Sequence, residues 1–270
     1  MKNILDYRSR PIPDLTDACS RRKVSRQYPL VFSHERSFDP CVRIEEYDIA
    51  GCSYYHQEQG NPPYNHRAPG SLPVVLMRKT VAEMLASVNE RLRSVGIEIY
   101  VFDAYRPVQV QDYFFLEWMP AELRKRHPEW DEELIELEKR NYWGRGSDEN
   151  GKVDPLSPPF HSTGGAVDLL LRDTRTKELI HTGSFFDDFS SASSTDFYER
   201  LLLTKNLNEW ESEALLNRRL LYWALVEGGL VNNPKELWHF SYGDQLWAAI
   251  RGEDEAFYSF MLIDPDSFMG

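Results

Sequence analysis

The clearest hydrophobic pattern in the chain predicts a helix over residues 80–95. Thr80 and Glu83 have the spacing of a capping box at its start, and Gly96 suits its end. The apolar residues between them recur every three or four positions: Val81, Met84, Leu85, Val88, Leu92 and Val95. A helix with this pattern buries one face in a core and leaves the other face polar.

Further elements are predicted on both sides of a polar loop at residues 144–159, which is rich in Gly, Pro, Asp and Ser. Apolar or alternating runs predict strands at 97–103, at 165–172 and, as a hairpin or two short strands, at 230–242. Helices are predicted after Pro107, over 128–143 and over 211–229. Strands and helices mixed in this way indicate a single α+β domain.

Residues 1–73 show little periodicity and are rich in Pro, Arg, Ser and Tyr. We expect them to form an irregular segment that wraps the core, with one strand around residues 42–50. Most of the predicted elements therefore belong to residues 74–270.

The composition indicates a packed globular protein, because 41% of the 270 residues are hydrophobic and 13% are aromatic. The formal net charge of −12 argues against nucleic acid, membrane surfaces and anionic cell-wall polymers as partners. A small zwitterionic substrate is compatible with that charge.

The three cysteines, Cys19, Cys41 and Cys52, are odd in number and fall in the first fifth of the chain. This distribution indicates a reducing compartment rather than a disulfide framework. The stretch MKNILDYRSRPIPDL lacks the apolar core of a signal peptide, and no apolar run has the length of a membrane span. We therefore expect a cytoplasmic protein.

Two segments far apart in the chain carry metal-ligand residue types. His161 and Asp168 lie in PFHSTGGAVDLLL, and Glu236 and His239 lie in ELWHF. Two imidazoles and one carboxylate can bind a catalytic metal ion and leave a position open for water, and a spare carboxylate can take the proton of that water.

The spacing alone leaves a structural interpretation open for both segments. GGAVDLLL could be a tight turn into a core strand, and ELWHF could be an edge strand. Glu236 and His239 are three residues apart and would point to opposite faces of a straight strand, so a metal site requires a bend between them.

Arg106, in FDAYRP, lies at the predicted junction of a strand and a helix. A guanidinium remains protonated and can stabilise a developing oxyanion through two donors. The alternative is a structural ion pair with Asp103 or another carboxylate.

Taken in order, FDAYRP, HSTGGAVDL and ELWHF resemble the signature blocks of the zinc D-Ala-D-Ala dipeptidases of the vancomycin-resistance type. The wider superfamily includes D,D-carboxypeptidases, lysostaphin-type endopeptidases and the hedgehog signalling domain. The resemblance covers roughly residues 75–242. It implies a compact α+β domain with a central antiparallel sheet flanked by helices, and a catalytic domain at 74–270 that the irregular segment 1–73 wraps.

The resemblance also implies a role for each site residue. The three implied ligands of one zinc ion are His161, Asp168 and His239. Glu236 would be the general base and acid, Arg106 would stabilise the tetrahedral intermediate, and Asp187 in GSFFDD would pair with the amino group of a small dipeptide. The chain departs from the family at Pro159, where a serine is usual, and in longer segments at 144–159 and 190–208.

Three alternatives to a D,D-dipeptidase remain open at this point. The first is a related zinc carboxypeptidase or endopeptidase that acts on cell-wall peptides. The second is a non-haem iron oxygenase with a two-His-one-carboxylate site, although such enzymes commonly space the first two ligands as His-x-Asp. The third is a non-catalytic binding domain, against which the presence of Glu236 counts.

Overall fold

A five-stranded sheet lies at the centre of the computed structural model, which describes residues 3–263. The strands of the described residues are β1 (Cys41–Arg43), β2 (Ala50–Gly51), β3 (Leu76–Arg78), β4 (Ile97–Asp103), β5 (Ala166–Asp173), β6 (Val231–Asn232) and β7 (His239–Ser241). The central sheet has the order β2-β4-β5-β7-β6, and β1 pairs with β3 apart from it. The prediction of a central antiparallel sheet is confirmed for β4, β5, β7 and β6, whereas the edge strand β2 runs parallel to β4.

Helices surround this sheet. They are α1 (Thr16–Val24), α2 (Lys79–Arg93), α3 (Val108–Tyr113), α4 (Met119–Arg126), α5 (Glu132–Glu138), α6 (Phe197–Leu202), α7 (Glu209–Glu227) and α8 (Gln245–Arg251). A π-helical stretch, Phe114–Trp118, joins α3 to α4. The predicted α+β class is therefore confirmed.

The helix predicted over residues 80–95 is α2, and it ends as expected before Gly96, whose φ of 79° lies in the left-handed region that favours glycine. The predicted capping box is wrong. Thr80 lies inside the first turn, and its backbone N–H donates to Asp39 Oδ2 at 3.3 Å. The N–H of Thr80 is therefore satisfied by Asp39 of the N-terminal segment, and not by the side chain of Glu83 as a capping box would require.

One other helical prediction changes in extent, and one helix was not predicted. The acidic helix expected over 128–143 is reduced to α5 and a 3-10 turn at Lys139–Asn141. Helix α1 was not predicted, because TDACSRRKV has no apolar stripe and none of its residues is buried. The N-terminal segment is consequently less irregular than expected, and in place of one strand around 42–50 it contains both β1 and β2.

A single large hydrophobic core joins the N-terminal segment to the rest of the chain. Val81 and Leu85 of α2, Leu169 of β5 and Leu225 of α7 belong to it, and so does Tyr55. The division at residues 73 and 74 stays a prediction. Residues 1, 2 and 264–270 of those two ranges lie outside the described residues.

No helix in residues 3–263 is both long enough and apolar enough to cross a membrane.

Candidate active site

The pairing of the central strands places three polar residues in one row. Asp103 in β4 lies opposite Asp168 in β5, and Asp168 lies opposite His239 in β7. A register irregularity between Val101 and Asp103 brings Asp103 into this row. All three residues are buried, so the row places polar groups in the interior of the protein.

A tight turn brings His161 to the same place. His161 lies in the 3-10 helix Phe160–Thr163, which ends at Gly164 with a φ of 71°. A Cβ atom on the next residue, Gly165, would lie 2.4 Å from the carbonyl oxygen of Tyr242, so only glycine allows β5 to begin here. The two glycines therefore reverse the chain between His161 and the strand that contains Asp168.

Glu236 reaches the site from a turn rather than from a strand. It lies in the connection between β6 and β7, where its N–H donates to Asn233 O at 3.0 Å and its carbonyl accepts from His239 N at 3.1 Å. This turn provides the bend that the sequence required, and Glu236 Oε2 lies 3.4 Å from His239 Nδ1. Glu236 remains 31% exposed, while the three neighbouring groups are buried.

Hydrogen bonds on the outer side of each imidazole orient both rings. His161 Nδ1 lies 2.8 Å from the carbonyl oxygen of Ala104, which can only accept, so His161 Nε2 is left with its lone pair. His239 Nε2 lies 3.2 Å from Ser241 Oγ, and that hydroxyl donates to Asp244 Oδ2 at 2.8 Å. Ser241 therefore accepts from His239 Nε2, and the lone pair of Nδ1 also points into the site.

The atoms that meet at the centre have the chemistry of a metal site. His161 Nε2 and His239 Nδ1 are 3.1 Å apart, and they lie 3.3 Å and 3.2 Å from the two oxygens of Asp168. A tetrahedral ion with bonds of about 2.1 Å keeps its ligand atoms about 3.4 Å apart. Among the described residues, buried Asp168 Oδ1 has no hydrogen-bond partner. His161, Asp168 and His239 thus form a group that could hold a metal ion.

The electrostatics of this group favour a cation. Burial alone would raise the pKa of Asp168, but the two imidazoles outweigh burial and hold it well below its usual range. Burial lowers the pKa of His239, yet the adjacent Asp168 carboxylate outweighs this effect and raises it above 6.5. A metal ion would supply the positive charge that a proton otherwise supplies here.

Arg106 is buried and is hydrogen-bonded to Asp168 of the candidate ligand group. Its Nε donates to Asp103 Oδ2 at 2.7 Å, which is the structural ion pair considered from the sequence. Its Nη2 donates to Asp168 Oδ2 at 3.1 Å and to the Tyr55 hydroxyl at 3.3 Å, and its Nη1 donates to Gln111 Oε1 at 2.9 Å. Arg106 therefore holds Asp168 in position and places a full positive charge beside the site.

Asp187 is connected to Arg106 through the hydroxyl of Tyr55, and its backbone has a φ of 57°. Its Oδ2 accepts hydrogen bonds from Tyr55 at 2.8 Å and from Tyr64 at 2.7 Å. Burial raises the pKa of Asp187 to about 7, and the charge of Asp168 adds to the effect. In the described part of the chain, its Oδ1 makes no hydrogen bond and remains available to a ligand.

Several residues of the site were not identified from the sequence. Tyr55 and Tyr64 belong to the N-terminal segment, from which no role was assigned, and Ser241 and Asp244 follow the ELWHF block. The short spacing between His239, Ser241 and Asp244 was visible in the sequence, but the hydrogen bonds that connect them depend on the turn after β7. Pro159 precedes the 3-10 helix of His161 and offers neither a hydroxyl nor an N–H.

Two comparisons with known proteins find similarity to the same kind of enzyme. The model of peptidase family M15, described as D-ala-D-ala dipeptidase, matches residues 70–261. The D-alanyl-D-alanine dipeptidase of Synechocystis sp. is 35% identical to this chain over 215 residues, which are 77% of this chain and 79% of the relative. The matched region contains every site residue predicted from the sequence.

Proposed function

The chain belongs to the D-Ala-D-Ala dipeptidase family and is a peptidase, and from that premise we propose that it hydrolyses D-Ala-D-Ala or a similar short dipeptide of D-amino acids with the help of one zinc ion. The observation that carries the proposal is the meeting of His161, Asp168 and His239 beside Glu236, with ligand atoms 3.1 to 3.3 Å apart.

Zinc is the metal that this donor set fits best. Two imidazole nitrogens and one carboxylate oxygen are one of the known ligand sets of catalytic zinc, which keeps its fourth position for water or substrate. When bound, zinc supplies a Lewis acid that lowers the pKa of a water molecule and polarises the peptide carbonyl. The hydrogen bonds to Ala104 and Ser241 would keep both imidazoles in the ligating orientation.

Glu236 is the general base and acid in this proposal. Its carboxylate lies beside the ligand group without belonging to it, and it is partly open to solvent. It can therefore take a proton from the attacking water and deliver it to the leaving amine. The turn between β6 and β7 holds Glu236 Oε2 3.4 Å from His239 Nδ1.

Arg106 would stabilise the negative charge that develops on the carbonyl oxygen. Each Nη atom carries two N–H groups, and Nη1 makes one hydrogen bond in the described part of the chain. The second N–H of Nη1 is therefore available to an oxyanion. Asp103 and Asp168 keep the guanidinium in place and protonated, and they raise its pKa further although burial lowers it.

Asp187 would receive the amino group of the substrate. Its free Oδ1 and the hydroxyls of Tyr55 and Tyr64 form a small polar site among aromatic side chains. An ammonium group there would neutralise the charge of the buried Asp187 carboxylate.

The proposal extends to the domains and to the location of the enzyme. We propose that residues 74–270 contain the catalytic machinery and that residues 1–73 cover one side of the cleft, since Tyr55 and Tyr64 of that segment contact Asp187. We also propose that the enzyme acts in the cytoplasm, because Cys19, Cys41 and Cys52 are free thiols.

Membership of a peptidase family excludes the oxygenase and the non-catalytic binding domain as alternatives. A substrate panel separates the remaining ones: purified zinc-loaded protein is incubated with D-Ala-D-Ala, L-Ala-L-Ala and a cell-wall pentapeptide that ends in D-Ala-D-Ala. We expect release of D-alanine from the D,D-dipeptide alone. Cleavage of the pentapeptide without cleavage of the dipeptide would replace the proposal with a carboxypeptidase or endopeptidase.

A further inference from the structure

Helix α1, which precedes the family-matched residues, lies beside the exposed side of the site. Arg22, in its last turn, places Nη2 3.8 Å from Glu236 Oε1. Arg26, four residues later, donates from Nε to Ser157 Oγ at 3.2 Å, and Ser157 lies two residues before Pro159. The segment from Arg22 to Arg26 therefore runs from the turn that carries Glu236 to the loop that leads into His161.

Arg22 is hydrogen-bonded to the turn that contains Glu236. Its Nε donates to Asn233 Oδ1 at 2.7 Å. The backbone of Asn233 in turn donates to His239 O at 2.9 Å and accepts from Glu236 N at 3.0 Å. These bonds fix the guanidinium relative to both Glu236 and His239.

The Nη1 and Nη2 atoms of Arg22 make no hydrogen bond in residues 3–263, and Nη2 forms only a long ion pair with Glu236 Oε1. The separation of 3.8 Å between these two atoms is too long for a hydrogen bond. The Arg22 side chain is 34% exposed. The edge formed by Nη1 and Nη2 can therefore receive a carboxylate through two parallel hydrogen bonds.

A free dipeptide needs such a group. It carries an ammonium at one end and a carboxylate at the other, and the carboxylate must meet a cation in a site that is strongly acidic. The acidic side chains around the centre are Asp103, Asp168, Asp187, Glu236 and Asp244. Arg106 donates from all three of its nitrogens to protein partners, and the remaining N–H of Nη1 is assigned to the oxyanion in the proposed mechanism. Pro159 has no donor to offer.

We propose that Arg22 binds the C-terminal carboxylate of the substrate and thereby restricts the enzyme to peptides that end one residue after the scissile bond. The inference rests on the proposed dipeptidase function and deepens it. Asp187 and Arg22 then hold the two charged ends of the dipeptide, with the ligand group and Glu236 between them. The residue that sets this length limit lies outside residues 70–261, in a helix that the family model does not match.

The test compares D-Ala-D-Ala with D-Ala-D-Ala amide, which has the same peptide bond and no terminal carboxylate. For the full-length zinc-loaded Arg22→Ala variant we expect the KM for D-Ala-D-Ala to rise about 10- to 100-fold, as for loss of a charged bidentate pair, with little change in kcat. For the amide, kcat/KM should equal that of the wild type. Arg22→Lys keeps the positive charge but cannot donate two parallel hydrogen bonds, so its KM for D-Ala-D-Ala should be intermediate.

Lys23→Ala is the matched control, because it removes the same charge from an exposed position of the same helix and should leave both substrates unaffected. An unchanged KM for D-Ala-D-Ala in Arg22→Ala would overturn the inference. So would an equal loss of activity on dipeptide and amide, which would mean that Arg22 acts through Glu236 or through the fold. A wild-type enzyme that cleaves neither substrate would refute the proposed function itself, before any variant is made.

Discussion

Glu236 differs from the buried groups beside it in being partly open to solvent. A general base has to exchange its proton with water after each turnover, whereas a metal ligand is best held in a closed environment. The structure gives each group the exposure that its proposed role requires. His161, Asp168 and His239 are each less than a tenth exposed.

Replacement of Glu236 by Gln should separate turnover from metal binding. The amide cannot accept a proton, so kcat/KM for D-Ala-D-Ala should fall by about 10²- to 10⁴-fold. Zinc content, measured by elemental analysis of the purified variant, should stay at one ion per chain because the three ligands are intact. Wild-type turnover in this variant would remove Glu236 from the mechanism, and loss of zinc would make it a ligand.

The role of Asp187 can be tested by matching a variant to a modified substrate. Asn tolerates the left-handed backbone at this position, where φ is 57°, but cannot pair with an ammonium. Asp187→Asn should raise the KM for D-Ala-D-Ala about 10- to 100-fold, as loss of a charged hydrogen bond does. With N-acetyl-D-Ala-D-Ala, which has no ammonium, variant and wild type should be equal. A similar loss with both substrates would contradict the assignment.

At the scale of elements, the glycine turn before β5 controls the distance between His161 and Asp168. The Cβ of Gly165→Ala would lie 2.4 Å from Tyr242 O, which belongs to backbone that cannot move away freely. We expect destabilisation by about 1–3 kcal/mol, measured by denaturant unfolding, and weaker zinc binding. Gly144→Ala is the control, since its Cβ would meet only Gln111 Nε2, at 4.0 Å. Equal unfolding curves for the two variants would refute this account of the turn.

Strand β4 carries another buried carboxylate, Glu98, at the other end of the strand from Asp103. Glu98 is 3% exposed and accepts from Arg172 at 2.8 Å, Lys177 at 2.8 Å and Arg93 at 3.1 Å. Burial alone would raise the pKa of Glu98, but these three cations outweigh burial and hold it below its usual 4.5. The ionised form of Glu98 therefore stabilises the fold. Its hydrogen bonds to Arg172 and Arg93 connect β4 to β5 and to the end of α2.

Glu98→Gln should reduce stability in a pH-dependent way. Since the pKa is lower in the folded chain, the stabilisation is complete above pH 4.5 and is lost as the pH falls through the folded value. At pH 7 we expect the variant to lose about 2 kcal/mol of unfolding free energy relative to the wild type, and at pH 3 the difference should shrink. Glu90→Gln, at an exposed position of α2, serves as the control. A difference that does not change with pH would contradict the ionic explanation.

The elements that the sequence predicted well are those with a regular apolar pattern. Helix α2 and strands β4 and β5 bury one or both faces, and their apolar spacing predicted them within a few residues. Helix α1 buries none of its residues, so no pattern could indicate it. The row formed by Asp103, Asp168 and His239 also could not be predicted, because it depends on the register of three strands that are distant in sequence.

Across the whole molecule, the site combines residues of two kinds. Those in the signature blocks, such as His161 and Glu236, could be identified because their spacing resembles a known pattern. Those of the N-terminal segment, such as Tyr55 and Arg22, could not, since they reach the site only through the folded core and have no spacing of their own. The signature blocks thus carry the proposed chemistry, and the N-terminal segment carries the proposed limits on the substrate.

A zinc titration of metal-depleted wild-type protein, with D-alanine release from D-Ala-D-Ala as the readout, tests most directly whether one zinc ion supports hydrolysis. We expect no release without metal, a rise with added zinc, and saturation at one zinc ion per chain. Release that is equal with and without a chelator would contradict this expectation. So would the absence of release when zinc is bound at one ion per chain.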